Sequence, residues 1–448
     1  MKETMIAASD ESSNANMKRA TAATAMGNVV EWYEYGIYSY TAGIIGANFF
    51  PESSTTAALL SAFAVFAISF FMRPLGGLLF GSMGDRLGRK KIMTLTIVLM
   101  SLSTAVIGII PNYGAIGVMA PLLLILMRML QGLAAGGEYG TATVFMNEYA
   151  PHRRRGLFTS FLESGVLLGY TVGAGFVALL TALLTPDDMS MWGWRIPFLC
   201  SLPLALTGMY FRLKLDDTPI FTKLQDTNAL SSRPIREMFV TARKPLVISF
   251  CCIALANGGY YTLLTYVPSY FETQVGLSTG MSLMVTIIGM VLMMFLMPTV
   301  GTLSDRFGRK LFMFLSAILT IITAVPIFLF VISGSPAGPI VGFFALGILV
   351  SLFTGANPSA LPPLFPNRVR NSGYAFSYNV STAIFGGGAP FIITWLTSMT
   401  GSKLMPAYFL IATSLIAIAA LLFMPETAKM RIEVGADDKS EPGSNLVS

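Results

Sequence analysis

Charge is scarce in this chain. Only 12% of its 448 residues are Asp, Glu, Lys or Arg, against about a quarter in a soluble globular domain. Histidine occurs once, at His152 in a basic loop, which excludes a histidine-based metal site or a catalytic triad. The three cysteines, Cys200, Cys251 and Cys252, lie in or beside apolar runs and read as small core residues, not as a disulfide or a metal-binding pair. There is no phosphate-binding loop, so enzyme chemistry is disfavoured and neither a cofactor nor a metal is expected. The first ~20 residues lack the apolar core of a cleavable signal and are expected to form a polar tail.

What the chain has in abundance is apolar sequence, with 54% hydrophobic residues. Runs at 22–49, 57–83, 91–111, 117–146, 156–184 and 196–213 precede a charged stretch. Six more follow at 245–271, 279–303, 311–332, 338–362, 373–399 and 405–424. Runs of this length are transmembrane helices. The predicted fold is an all-α membrane protein with 12 transmembrane helices in two pseudo-symmetric six-helix bundles. Its parts are a tail at 1–21, a bundle at 22–213, a central loop at 214–244, a second bundle at 245–424 and a tail at 425–448.

Lysine and arginine are distributed unevenly. The loops after even-numbered helices and the two tails hold 25 of the 29 basic residues. The loops after odd-numbered helices hold only Arg195 and Lys403, and Arg73 and Arg128 fall inside spans. Basic loops stay on the cytoplasmic side. Both termini and the central loop are therefore expected inside, and the net charge of +6 reflects topology, not nucleic-acid binding.

The chain also repeats. GSMGDRLGRKK begins at Gly81 and GTLSDRFGRKL at Gly301, each after the second helix of its half. A weaker echo joins Pro151, Arg153 and Arg155 to Pro366, Arg368 and Arg370. An even number of spans per unit keeps the two copies parallel. In the first copy Gly88 permits a tight turn, while Arg86, Arg89 and Lys90 suit anionic headgroups. Asp85 can bind a neighbouring helix N-terminus or an arginine, a contact able to break and re-form. The same reading extends to Asp305, Arg306, Gly308 and Arg309, so Gly81, Asp85, Arg86, Gly88 and Arg89 together with the second copy are the expected gating motif.

These loops, with Arg128-x-x-Gln131-Gly132 and Pro425-Glu426-Thr427, resemble the major facilitator superfamily. RPLGGLLFGSMGDRLGRKK, GGEYG and WGWRIPF are similar to its metabolite:proton symporter family. FLESGVLLGYTVGAG, LKLDDTPIF, FTGANPSALPPLFPNRVRNSG and MPAYFLIA look most like the proline/glycine betaine branch. The likeness implies a secondary transporter of the inner (plasma) membrane that works by alternating access with protons as the coupling ion; sodium is the alternative, since carboxylates with Asn or Thr oxygens bind it too.

Ionisable residues inside spans are costly and mark function. The span interiors contain Glu31, Glu34, Glu138, Glu163, Arg73 and Arg128, all in the first half. A titrating carboxylate must then belong to the amino-terminal bundle, and the second bundle offers only neutral polar and aromatic groups. A surplus of two negative charges suits a bundle of low dielectric badly, so one or two glutamates are expected to carry a proton in at least one state. Arg128, Gln131 and Glu138 share a face of helix 4. Glu138 and Glu163 lie ~10–14 Å deep and could form one layer with Arg73. Glu34 reaches ~18 Å, near the midplane. The expected proton-coupling residues are Glu34, Glu138, Glu163 and Arg128, with Glu31 as structural support. A structural ion-pair network is the competing reading of the same six residues.

Helix 1 carries Trp32, Tyr33, Tyr35, Tyr38 and Tyr40; helices 7 and 11 carry Tyr260, Tyr261, Tyr266, Tyr374 and Tyr378. In the resembled fold these helices face the cavity. Aromatic faces with a carboxylate suit a quaternary ammonium, and an arginine suits a carboxylate. The expected solute is a small zwitterion held by Glu34, Tyr35, Tyr38, Arg73, Arg128, Gln131, Tyr260 and Tyr378. The alternative is a di- or tricarboxylate, which four glutamates would repel. A non-transporting sensor of the same fold is the other class of function. Apart from the lipid bilayer, the solute and the ion, no obligate partner is evident.

Overall fold

The computed structural model describes residues 25–51, 54–87, 89–213, 234–366 and 369–430, excluding the side chains at 81–94, 149 and 211–235. It is helical throughout, with no strand among the described residues. The described residues form twelve helical passes. We number them α1 (25–40, continued by Ala42–Phe49), α2 (Thr55–Leu87), α3 (Arg89–Ile109), α4 (Met119–Ala135 with Glu138–Tyr149), α5 (Arg155–Leu183) and α6 (Arg195–Leu199 with Ser201–Leu213). The second half contains α7 (Arg243–Val275), α8 (Thr279–Phe307), α9 (Arg309–Val331), α10 (Gly338–Leu364), α11 (Arg370–Thr400) and α12 (Met405–Phe423). Among the described residues, nine helices are long and apolar enough to cross a membrane.

Several passes are broken, and the breaks have local causes. α4 interrupts at the flexible Gly136-Gly137 pair. α7 widens to a π-helix at Thr262–Tyr266 and again at Phe271–Val275; α11 does so at Thr382–Gly387. Pro268 and Pro390 follow the first and last of these and cannot donate to the turn before them, so the ladder there shifts register. The run predicted at 196–213 is two helices, and the stretch predicted as central loop contains the short helix Pro234–Thr241.

Packing within the first half rests on close backbone approaches. A Cβ on Gly132 would lie 1.8 Å from the Ser69 carbonyl oxygen, and one on Gly136 2.0 Å from that of Arg73. These glycines let α4 lie directly on α2 and so fix where Arg73 and Arg128 point. Gly165 and Gly169 serve α5 in the same way against Ala25 and Val29 of α1, as their regular spacing predicts. Between the halves, α5 packs along α8, and α2 and α4 pack on α11.

Candidate functional site

α1 carries both carboxylates of VVEWYEYGIYSY, and the fold sends them to different neighbours. Glu31 forms an ion pair with Arg73 of α2 at 2.9 Å. Glu34 accepts from Ser101 and Thr104 of α3, each at 2.5 Å, and from Gln131 of α4 at 3.4 Å. Gln131 also donates to Thr104 at 2.8 Å. Glu34 thus sits between α1, α3 and α4, with every one of these partners in the first half. The sequence pattern places it on one seam with Glu31, Tyr35 and Tyr38; the structure turns it into the bundle. Ser101 and Thr104 were missed at the sequence level. Their signal is a pair of hydroxyls at i, i+3 inside an apolar run.

The two guanidiniums are 0% exposed. Arg73 lies over the rings of Phe70, Tyr35 and Trp32 at 4.5, 4.6 and 5.3 Å. It donates through Nε to the Tyr35 hydroxyl at 3.4 Å, and its Nη1 has no hydrogen-bond partner. Arg128 lies 4.1 Å over the Tyr38 ring and donates to Gln131 and, at 3.1 Å, to Ser69. Its Nε is likewise without a partner. Tyr38 spends its own hydroxyl on the Ala62 carbonyl at 3.0 Å.

Trp32 is the hub where the halves meet. Its ring lies 5.7 Å from Tyr170, 5.8 Å from Tyr35, 5.9 Å from Tyr261 and 6.4 Å from Tyr139. Tyr261 comes from the second half and packs at 5.2 Å on Phe70. The Trp32 Nε1 and the Tyr261 hydroxyl have no hydrogen-bond partner. Tyr170 and Thr265 of α7 share a hydrogen bond at 3.4 Å. Trp32, Tyr35, Tyr170 and Tyr261 are all buried.

The remaining carboxylates lie elsewhere. Glu163 accepts from the Tyr139 hydroxyl, and Tyr260 of α7 reaches the Glu163 main-chain oxygen at 3.5 Å. Tyr139 stacks on Tyr378 of α11 with centroids 4.3 Å apart and planes 20° apart. Glu138 is buried at the start of the second segment of α4. Of the suggested layer of Arg73, Glu138 and Glu163, Arg73 pairs with Glu31 and Glu163 accepts from Tyr139. The second half contributes neutral groups here, with Asn257 donating to Thr382 at 2.5 Å and Asn379 to the Gly136 carbonyl at 2.6 Å.

A second cluster closes the end that carries the basic loops. Asp305 of α8 accepts from the backbone N–H of Gly156 at 2.9 Å and of Leu157 at 3.2 Å, at the start of α5. It also pairs with Arg309 at 3.2 Å. Gly308 makes the turn at φ +108°, where a side chain would be strained. Arg309 donates to the carbonyls of Ser359 at 2.8 Å and Thr427 at 3.1 Å, and Glu426 caps α9 through the N–H groups of Arg309 and Lys310. Arg306 lies in the last turn of α8. Arg370 of α11 pairs with Glu148 of α4 at 3.3 Å. In the first copy of the motif, Gly88 and the side-chain positions of Gly81, Asp85, Arg86 and Arg89 lie outside the described residues.

The motif copies, the six-plus-six helices and the buried central layer agree with a match of residues 24–388 to the Major Facilitator Superfamily model. The chain belongs to the major facilitator superfamily. It is 38% identical over 437 residues to the glycine betaine/proline/ectoine/pipecolic acid transporter OusA of Dickeya dadantii, covering 95% of this chain and 87% of that one. It is 37% identical to the proline/betaine transporter of Escherichia coli K12 (92% and 84%) and 38% identical to the ectoine/proline transporter ProP of Corynebacterium glutamicum (92% and 85%). A structure of the xylose transporter XylE from E. coli, in a partially occluded inward-open conformation, superposes with a TM-score of 0.73 at 18% identity, covering 93% of this chain and 100% of that chain. This major facilitator is a multi-pass membrane transporter.

Proposed function

We propose that this chain is a proton-coupled symporter that imports a small zwitterionic solute of the proline or glycine betaine class. The observation that carries this reading is the set of buried donors without partners around Trp32. Arg73 Nη1, Trp32 Nε1 and the Tyr261 hydroxyl belong to side chains that meet at the Trp32 ring, in a layer built from both halves. Buried donors are normally satisfied, and a solute carboxylate supplies the acceptor they need. The tyrosine rings beyond them, Tyr170 and Tyr261 foremost, suit the solute's cationic end. Tyr35, Gln131, Tyr260 and Tyr378 shape this site, and Arg128 of α4 with Tyr38 of α1 backs it. The names of the three relatives point the same way.

A dicarboxylate fits less well. Glu31 already pairs with Arg73, and Glu34 and Glu163 are buried in the same bundle, so a solute with two or three carboxylates meets like charge. Uptake of labelled glycine betaine, competed with proline, citrate and α-ketoglutarate, decides between the two. Competition by citrate but not by proline overturns the zwitterion reading. Uptake driven by an imposed pH gradient without sodium separates the two coupling ions.

In the proposed cycle the bundles at 22–213 and 245–424 rock about the Trp32 layer. The basic loops and both termini face the cytoplasm of a plasma-membrane transporter, and the Asp305 contact holds that end shut. The coupling carboxylate is one of Glu34, Glu138 and Glu163. If Glu34→Gln, Glu138→Gln and Glu163→Gln all still accumulate solute against a gradient, the coupling assignment fails.

A further inference from the structure

We propose that Tyr139 is the positioning residue that ties protonation of Glu163 to the contact between the two halves. The inference rests on the proton-coupled reading above. Tyr139 touches both parties at once. Its hydroxyl donates to the Glu163 carboxylate within the first half, while its ring stacks on Tyr378 of the second half at 4.3 Å. Trp32 closes the ring's edge at 6.4 Å.

Among the described residues, the titratable groups that face Glu163 are Tyr139 from α4, Tyr260 from α7, and Tyr374 and Tyr378 from α11. From α1, Asn28 reaches the neighbouring Leu162 carbonyl at 3.3 Å. α8 has no titratable residue between Thr279 and Thr302 and meets α5 here through Ser164, which donates to the Met294 carbonyl at 3.3 Å. Glu163 draws its neighbours from both halves, whereas the hydrogen-bond partners of Glu34 are Ser101, Thr104 and Gln131 of the first.

The consequence follows from hydrogen-bond chemistry. A carboxylate only accepts, so ionised Glu163 draws the Tyr139 O–H into a charge-assisted bond and fixes the ring in its stacked pose. When Glu163 takes up a proton, that bond becomes an ordinary neutral one. The phenol keeps its own proton throughout. The ring is then held less firmly against Tyr378, and the contact between α4 and α11 loosens. One side chain in this way reports the proton to the interface that must open.

Hydrogen–deuterium exchange of α11 peptides in the purified full-length protein tests this without any solute, so its outcome does not depend on what the carrier transports. In the wild type, acidification should raise exchange in Arg370–Ser381, after correction for the chemical rate. Tyr139→Phe keeps the ring but lacks the hydroxyl, and it should lose that rise; so should Glu163→Gln, and the double variant should add nothing. A full rise in Tyr139→Phe, or additive effects in the double variant, overturns the proposal. In vesicles, Tyr139→Phe should lower proton-driven accumulation relative to solute counterflow by about tenfold, the scale of losing one hydrogen bond to a charged group. An unchanged ratio also overturns it. Absence of any betaine or proline counterflow in the wild type instead refutes the solute assignment and leaves the exchange result standing.

Discussion

Asp305 accepts the backbone N–H of Gly156 at 2.9 Å, across the junction between the two halves. A carboxylate at a helix N-terminus gains from both the free N–H groups and the helix dipole. The same carboxylate is held by Arg309. Asp305→Asn keeps the size and loses the charge, and is expected to weaken the closure by ~1–2 kcal/mol. A single cysteine replacing Ala375, which packs against Gly140, reports the result. Its alkylation from the basic side should quicken several-fold in Asp305→Asn; an unchanged rate means the contact is no latch.

The Glu31–Arg73 pair makes a different kind of prediction. Both side chains are buried, so Glu31→Gln leaves a buried guanidinium without its counter-charge, at a cost of ~3–5 kcal/mol. The double variant Glu31→Leu with Arg73→Leu should recover most of the thermal stability in detergent and none of the uptake. Uptake retained by the double variant would show that the pair only supports the fold.

Thr104 joins Glu34 to Gln131. Thr104→Val keeps the shape and removes the hydroxyl, leaving two buried polar groups short of a partner. Thermal unfolding should report a loss of ~1–3 kcal/mol, with Thr104→Ser close to wild type. Equal losses in the two variants would assign the effect to packing.

Adjacent glycines in α4 supply their own control. A Cβ at Gly136 falls 2.0 Å from the Arg73 carbonyl oxygen, whereas one at Gly137 meets nothing within 4 Å. Gly136→Ala must push α4 off α2 and should cost ~1–3 kcal/mol and most of the transport; Gly137→Ala should be near neutral. Similar losses at both positions would contradict the packing described here.

The sequence by itself determined the architecture. Twelve apolar runs, a one-sided distribution of lysine and arginine, and two copies of Asp-Arg-x-Gly-Arg 220 residues apart are all local signals. Each reflects transfer from water to lipid or a tight turn, and such costs are paid residue by residue. The charged residues of the site were legible too, because ionisable groups in an apolar run stand out. Their partners were not. Helical spacing puts Glu31 and Glu34 on one seam, but a rotation of a few tens of degrees decides whether a carboxylate meets Arg73 of α2 or Thr104 of α3. That rotation is set by how α1 packs on α5 through Gly165 and Gly169, and how α2 is pulled against α4 by Gly132 and Gly136. Tyr139 shows the same limit. Beside Glu138 in sequence, it hydrogen-bonds Glu163 and stacks on Tyr378 only because three helices from two halves converge there. Burial is written in composition; pairing depends on the orientation of whole helices, and only the assembled tertiary structure decided it.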